Sequence, residues 1–403
     1  MQLNPRQIVT QFAHILQEEF FPLLESAAGP LSGHLQLLAA AIAMTPLDGM
    51  ISARRASTGR PSKDRAALAT AFIAKAIFNL STTRSLISRL EVDEALRRYC
   101  GWASRSAIPH ESKFSRAFAE FAESELPQQL HAAIVASTQA QRLIGHVSRD
   151  STAIAARERF PETAKQKAAA RRAARREKKQ AKQARKNARG EKPKPHPRAR
   201  ATDRGTRVER QRRQTLSRML KQLPTSCDIG TKISSQGHRQ YWRGYKLHLD
   251  VADGQIPVSA VLTSASVHDS QVAIPLMTMT SSRVTYLYEL MDSAYDADSI
   301  HAHSRQLNHV PIVSPHPRRA VRTPAHLRAA FPVQQAPQLT EAETERFKLR
   351  TMSERVNARL KDEFGAGSIR VRGGAKVMAH LMFGVLALTV DQWLRLARHG
   401  SSG

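Results

Sequence analysis

Cysteine is nearly absent: Cys100 and Cys227 are the only two in 403 residues, they stand far apart, and no CxxC pair occurs. A disulfide framework and a cysteine-rich zinc site are thereby excluded, and a reducing cytoplasm fits the composition. There is no GxxxxGK[ST] loop, which removes ATP-driven helicases and transposition factors. No tyrosine follows Tyr295, so a recombinase with a tyrosine nucleophile near its end has no candidate residue. The start, Met1 to Thr10, lacks the charged stretch and apolar core of a secretory signal, and export is not expected. The most apolar run, Val377 to Leu396, has roughly the ~20-residue length of a membrane span. Asp391 and Arg395 fall inside it, so a buried C-terminal helix and no membrane contact are expected.

Acidic residues are scarce. Lys and Arg outnumber Asp and Glu by 62 to 34, for a net charge of +28. A polyanion is the expected partner, and nucleic acid the first choice. The excess is uneven: residues 165–213 hold 21 Lys and Arg against 4 Asp and Glu, and no aromatic residue. Phosphate neutralisation without base stacking fits such a segment, sequence-blind and salt-dependent. Lys192-Pro193-Lys194-Pro195-His196-Pro197 must be extended, because each proline blocks helix at the residue before it. The region 160–220 reads as a flexible basic insert, or else as an exposed linker.

The length allows more than one core. From Pro5 to about Thr138 apolar residues recur at three- and four-residue steps, as in Ile8, Phe12, Ile15, Leu16, Phe20 and Leu23, and the pattern repeats over Leu31 to Met44 and Ala66 to Leu80. Gly59-Arg60-Pro61-Ser62 breaks the run before a new helix, and Ser81-Thr82-Thr83 and Pro109 to Ser112 offer caps. Residues 1–140 are therefore expected to be an all-α, helix-turn-helix-like domain. Arg84, Arg89, Arg97, Arg98, Arg105, Lys113 and Arg116 decorate it, either to dock on DNA or as a solvated basic face.

Residues 141–403 read as mixed α/β. A short apolar strand closes at Asp150, and Tyr245 to Val251, Ala252-Asp253-Gly254-Gln255 and Ile256 to Thr263 spell a β-hairpin. A helix from about Ser270, a strand Val284 to Met291, a helix near Ala297 to Leu307 and a strand Val310 to Val313 follow.

Three acids stand out. Asp150 and Asp292 end apolar runs taken as neighbouring strands, and Glu354 sits in an arginine-studded helix. Phosphodiester transfer needs an activated hydroxyl and a way to spread charge, which two divalent ions held by a few carboxylates supply. An aspartate at a strand end is also a common turn or cap residue, and a lone Glu in a basic helix an ordinary ion-pair partner. Phe347, Arg350, Glu354 and Lys361 fall at spacings that place them on roughly one side of a helix. His268-Asp269 reads as a turn or cap, His248 as a strand-face residue, and Trp242 with Tyr241 as hairpin packing or a base contact. His301 and His303 lack a third ligand for zinc.

The segment Phe347 to Glu354, followed by Lys361, resembles the Y-(2)-R-(3)-E-(6)-K signature of DDE transposases from bacterial insertion sequences, with Phe347 in the tyrosine position. Met291-Asp292-Ser293-Ala294-Tyr295-Asp296 is similar to the family's A-D-K-G-Y-D motif, and Gly244 to His248, Ser266 to Ser270 and Gly59-Arg60-Pro61 are similar to its other landmarks. The resemblance implies an RNase H-like catalytic domain with Asp150, Asp292 and Glu354 as acidic triad and metal ligands, and Mg²⁺ or Mn²⁺ as cofactor. It also implies cleavage at terminal inverted repeats and joining of the 3′-hydroxyl to target DNA by a homodimer on duplex DNA. Arg350, Lys361 and Arg355 would hold phosphates, Arg355 alternatively pairing with Asp362. A nuclease or resolvase on the same fold, or a non-catalytic basic nucleic-acid-binding protein, is the alternative.

Overall fold

Alanine- and leucine-rich stretches before residue 140 form helices whose starts are set by polar side chains. In the computed structural model, residues 15–28, 31–52, 64–139, 141–158, 172–173, 175–177, 205–233, 237–315 and 339–400 are described. Helices α1 (Phe21–Ala28), α2 (Gly33–Met44), α3 (Leu47–Ser52), α4 (Arg65–Ile77), α5 (Thr83–Val92), α6 (Glu94–Tyr99), α7 (Glu111–Glu123) and α8 (Leu126–Gln139) make up this half. Asp64 accepts the Ala66 and Ala67 amides at the start of α4, and Thr82 accepts the Ser85 amide at the start of α5. The break Gly59 to Ser62 lies outside the described residues.

Strands β1 (Leu143–Ala155), β2 (Asp228–Ile233), β3 (Arg239–Ala252), β4 (Ile256–Ser264), β5 (Thr285–Met291) and β6 (Val310–Val313) form one mixed sheet. Among the described residues the order is β4-β3-β1-β5-β6, with β2 beside the outer part of β3. The β4-β3-β1 ladders are antiparallel, whereas β1-β5 and β5-β6 are parallel. Helices α9 (Arg207–Gln211), α10 (Leu216–Gln222), α11 (Ser270–Ser281), α12 (Asp298–Gln306), α13 (Glu341–Phe347), α14 (Thr351–Asp362) and α15 (Gly374–Gly400) follow among the described residues. This three-antiparallel, two-parallel sheet with flanking helices is the expected RNase H-like fold.

The apolar C-terminal helix α15 is long enough to cross a membrane by length and composition, but 83% of its apolar window is buried inside the protein. It packs on α2, α4, α7 and α8 and on β4. Leu38, Leu68, Ile73, Phe114, Leu130, Leu249 and Leu386 consequently belong to one apolar cluster. The helices before residue 140 share a core with the sheet, so β3 and β4 rest on a helical base.

Four expectations need correction. Strand β2 was not foreseen, since Asp228-Ile229-Gly230-Thr231-Lys232-Ile233 carries two isolated isoleucines and no apolar face. The basic insert ends earlier than residue 220: α9 and α10 are folded, with Val208 and Met219 buried against Ala273, Met277 and Ile300 of α11 and α12. Leu216, Leu220 and Leu223 pack beside them, and Arg207 and Gln211 hydrogen-bond to Gln271, which docks the end of the charge run there. Arg97 is no surface residue, because its guanidinium is buried and donates to the carbonyls of Leu90 and Glu91. Finally, Asp150 is not at a strand end, because β1 runs on to Ala155 in its ladder with β3. Only the parallel ladder with β5 stops beside it.

Candidate active site

The β1-β5 register fixes the first two carboxylates. Its last pair is Arg149 with Met291, so Asp150 and Asp292 stand at the next facing positions, on strands separated by about 4.8 Å. The peptide at Asp292 is extended, and its carboxylate accepts the Ala294 amide at 2.9 Å, which caps a short turn over Ser293–Tyr295. The cap role and a place beside Asp150 are therefore compatible.

Alternation along β1 sends its side chains to two environments. Ser148 and Asp150 face α14: the hydroxyls of Ser148 and Ser353 meet each other and the Arg350 carbonyl at 2.9 Å, and Asn357 donates to Asp150 at 3.1 Å. One helical turn from Ser353 to Asn357 thus matches two strand residues from Ser148 to Asp150, which sets the helix in register with the strand. Arg149 points to the opposite face, where it pairs with Asp250 at 2.7 Å and Glu289 at 3.5 Å, all buried.

Burial pushes the Asp150 carboxyl up to about 6, and the Asp292 and Asp269 charges add to this, against the Ser151 amide and Arg350. Asp292 is likewise raised, first by burial and then by Asp269. Asp269 itself is held below the ordinary range: burial opposes its charge, but His248, Lys246 and the Ser151 hydroxyl outweigh it. Because burial also drives His248 down to about 4, Lys246 at 3.0 Å is the standing counter-charge at neutral pH.

Glu354 does not meet the two aspartates. Its side chain is 51% exposed and pairs with Arg350 at 2.5 Å. It lies three residues before Asn357, on the flank of α14 that reaches Asp150. The four signature residues lie on one helical run that tightens midway: α13 ends at Phe347, a 3-10 turn with helical backbone covers Lys348–Arg350, and α14 continues from Thr351. Arg350 lies over the Phe347 ring at 5.7 Å, and Arg346 over Tyr288 at 4.7 Å, which ties this corner to β5. Lys361 is half-buried, and burial together with the nearby Lys232 lowers its affinity for a proton, opposed by Asp362 and Asp150. Arg355 is exposed and forms no ion pair with Asp362.

Two family models match the chain. Residues 205–390 match the transposase DDE domain, and residues 25–120 match a second transposase domain, DUF772. The chain belongs to the DDE transposases. Comparison with curated proteins and with solved structures finds no match. The transposase is thereby an enzyme of a class that uses divalent metal, and its function is transposition.

Its residues can be tested against such an ion. Among the described residues no three His, Cys, Asp or Glu side chains already stand together as a ligand group. The donor chemistry nevertheless fits: Asp150 and Asp292 are hard oxygen donors at facing positions, both raised first by burial and then by neighbouring carboxylates, Asp292 and Asp269 for the one and Asp269 for the other, a state that a bound cation relieves. Two carboxylates plus water are an ordinary Mg²⁺ arrangement.

Sequence reasoning did not find Asn357, Lys232, or the weight of Asp269. Asp269 stands at the first turn of α11 yet makes no cap bond; it binds Ser151 and Lys246 instead. The available signal was the Lys246-Leu247-His248 alternation, which puts Lys246 and His248 on one strand face toward a common anion.

Proposed function

We propose that this transposase binds the terminal inverted repeats of its insertion sequence, cleaves them with Mg²⁺ or Mn²⁺, and joins the freed 3′-hydroxyl to target DNA. The observation that carries this is the adjacency of Asp150 and Asp292 at the end of the β1-β5 ladder, with α14 pinned to Asp150 through Asn357. Asp150, Asp292 and Glu354 are the catalytic acids, and all three would hold metal. When bound, paired divalent ions supply an activated hydroxyl near neutral pH and offset the charge of an in-line displacement.

The protein's own part begins with the Arg350–Glu354 pair. Incoming phosphate competes for Arg350, whose planar fork matches two phosphate oxygens, and this frees Glu354 to turn toward the aspartates. Lys361 feels the Asp150 charge, so a backbone phosphate there would gain a partly desolvated cation. Arg355, exposed on the same helix, adds a weaker phosphate contact. The basic insert supplies sequence-blind attraction to duplex DNA. Bringing two ends together calls for a homodimer on DNA, in the cytoplasm beside the nucleoid. This arrangement is that of the Y-R-E-K group, with Phe347 replacing its tyrosine.

Replacing Glu354 by Gln is the direct test. Removing one metal-holding carboxylate forfeits several kcal/mol of transition-state stabilisation, so cleavage should fall by roughly three orders of magnitude. Filter binding to duplex DNA should be unchanged. Full divalent-dependent cleavage by Glu354→Gln would reject the assignment, and nicked DNA without any joined product would reduce the enzyme to a nuclease.

A further inference from the structure

Strand β3 is longer than the sheet it belongs to. Its inner part, from Gly244 onward, pairs with β1, and the Arg243 carbonyl still accepts the Ala156 amide just past β1, whereas Arg239 to Trp242 pair only with β2. The result is a two-stranded antiparallel ribbon that extends past β1. Gly244 marks the exit: a Cβ there would lie 2.0 Å from the Ile154 carbonyl oxygen, so only glycine lets the backbones approach so closely.

A free two-stranded ribbon is marginal in water, and this one has an internal brace. The Trp242 ring covers Gly230, where a Cβ would come within 2.3 Å of it, and the indole N–H donates to the Tyr245 carbonyl at 3.0 Å. The tryptophan is therefore spent on packing. What remains outside is cationic and partly apolar. Lys232, Arg239 and Arg243 are exposed, as are Tyr241 at 64% and Ile229 at 51%. The register sets Ile229 opposite Arg243 and Thr231 opposite Tyr241, which puts these four on one face, while Lys232 and Gln240 share the other. The single acid of the two segments, Asp228, is taken at the base by the Ser266 amide and hydroxyl.

We propose that this ribbon grips the duplex leading to the scissile phosphodiester, an inference that rests on the DNA-cleaving reading above and goes further by naming the surface. Three features select duplex DNA as the occupant. A major groove about 12 Å wide admits a two-stranded ribbon. The ribbon presents three cations with its one acid already engaged, which complements phosphate on both groove walls. It is also continuous with the catalytic strands: Arg243 is six residues from Leu249, the partner of Asp150, or about 20 Å along the strand. That span equals roughly six base-pair steps at about 3.4 Å, so the contacts fall within one helical turn of the carboxylates. Lys232 also stands close enough to Lys361 to repel it, which extends the cationic track from ribbon to site.

The test uses the full-length transposase and a 30-base-pair duplex of arbitrary sequence, about three helical turns. The double variant Lys232→Ala with Arg239→Ala removes two exposed cations. It should leave thermal unfolding unchanged, weaken duplex binding several-fold, and reduce the slope of log affinity against log salt by about 1.8. A photoreactive benzoylphenylalanine placed at Tyr241 should crosslink to the duplex. If the wild type binds the duplex and the double variant matches it in affinity and slope, the ribbon proposal falls and the cleavage reading stands. Crosslinking only to a second copy of the chain would also overturn it, making the ribbon a dimer contact. Failure of the cleavage reading appears separately, as retained activity in Glu354→Gln.

Discussion

Asp150→Asn is expected to abolish cleavage and, in the metal-free protein, to stabilise the fold. The loss follows from removing one of two facing carboxylates and should reach roughly three orders of magnitude. The gain follows from burial, which with the Asp292 and Asp269 charges pushes the Asp150 carboxyl up to about 6. A carboxyl raised in the folded state keeps its proton longer there than in the unfolded chain, where it titrates near ~3.9. Stability therefore falls as pH rises from about 4 to about 6, and above that the ionised group carries its full cost, on the order of 2 kcal/mol. Asparagine has no charge to desolvate and can still accept from Asn357. Calorimetry in chelator at pH 7.5 should show the variant melting roughly 2 °C higher, with the difference gone near pH 4. A variant less stable than wild type at pH 7.5, or a gap independent of pH, would contradict the electrostatic origin. Such opposition between stability and activity is common where like charges are gathered for function.

The sequence made the fold legible wherever periodicity was strong. The hairpin of β3 and β4, the β5 strand and the apolar helix α15 were all visible from alternation or from helical spacing, because each buries a continuous face. It was illegible where tertiary contacts decide. Asp228 to Ile233 becomes a strand because β3 offers an edge and Trp242 covers Gly230, neither of which a local pattern reveals. Val208 and Met219 turn the end of a basic run into docked helices by reaching a cleft formed by distant segments. At the site, the acids were identified by type and by likeness to a motif. The facing of Asp150 and Asp292 depends on the Arg149–Met291 register, which a single strand cannot specify. Asn357 remained hidden for the same reason, since its partner Asp150 lies 207 residues away.

Arg149→Met should produce the largest loss of stability of any single change near the site. Burial opposes the Arg149 charge, but Asp250 and Glu289 outweigh it and hold the guanidinium firmly protonated. Asp250 also accepts the Thr280 hydroxyl at 2.6 Å, and Arg149 reaches the Met291 sulfur at 3.2 Å. The cluster therefore ties β1, β3, β5 and α11 together directly beneath Asp150 and Asp292. Methionine fills much of the space yet leaves two buried acids without a cation, at a cost of about 3 to 5 kcal/mol. Asp250, whose carboxyl burial already raises, then folds best when protonated, so the deficit should be largest at neutral pH and above and shrink on acidification. Urea unfolding across that range measures it. The triple change Arg149→Met, Asp250→Asn, Glu289→Gln removes the stranded charges and should recover most of the loss, because an apolar or neutral replacement of a buried ionic cluster is often nearly neutral. If the single variant is as stable as wild type, or the triple variant no better than the single, charge compensation is not what holds these strands. The ladder end that sets Asp150 against Asp292 would then need another source of rigidity.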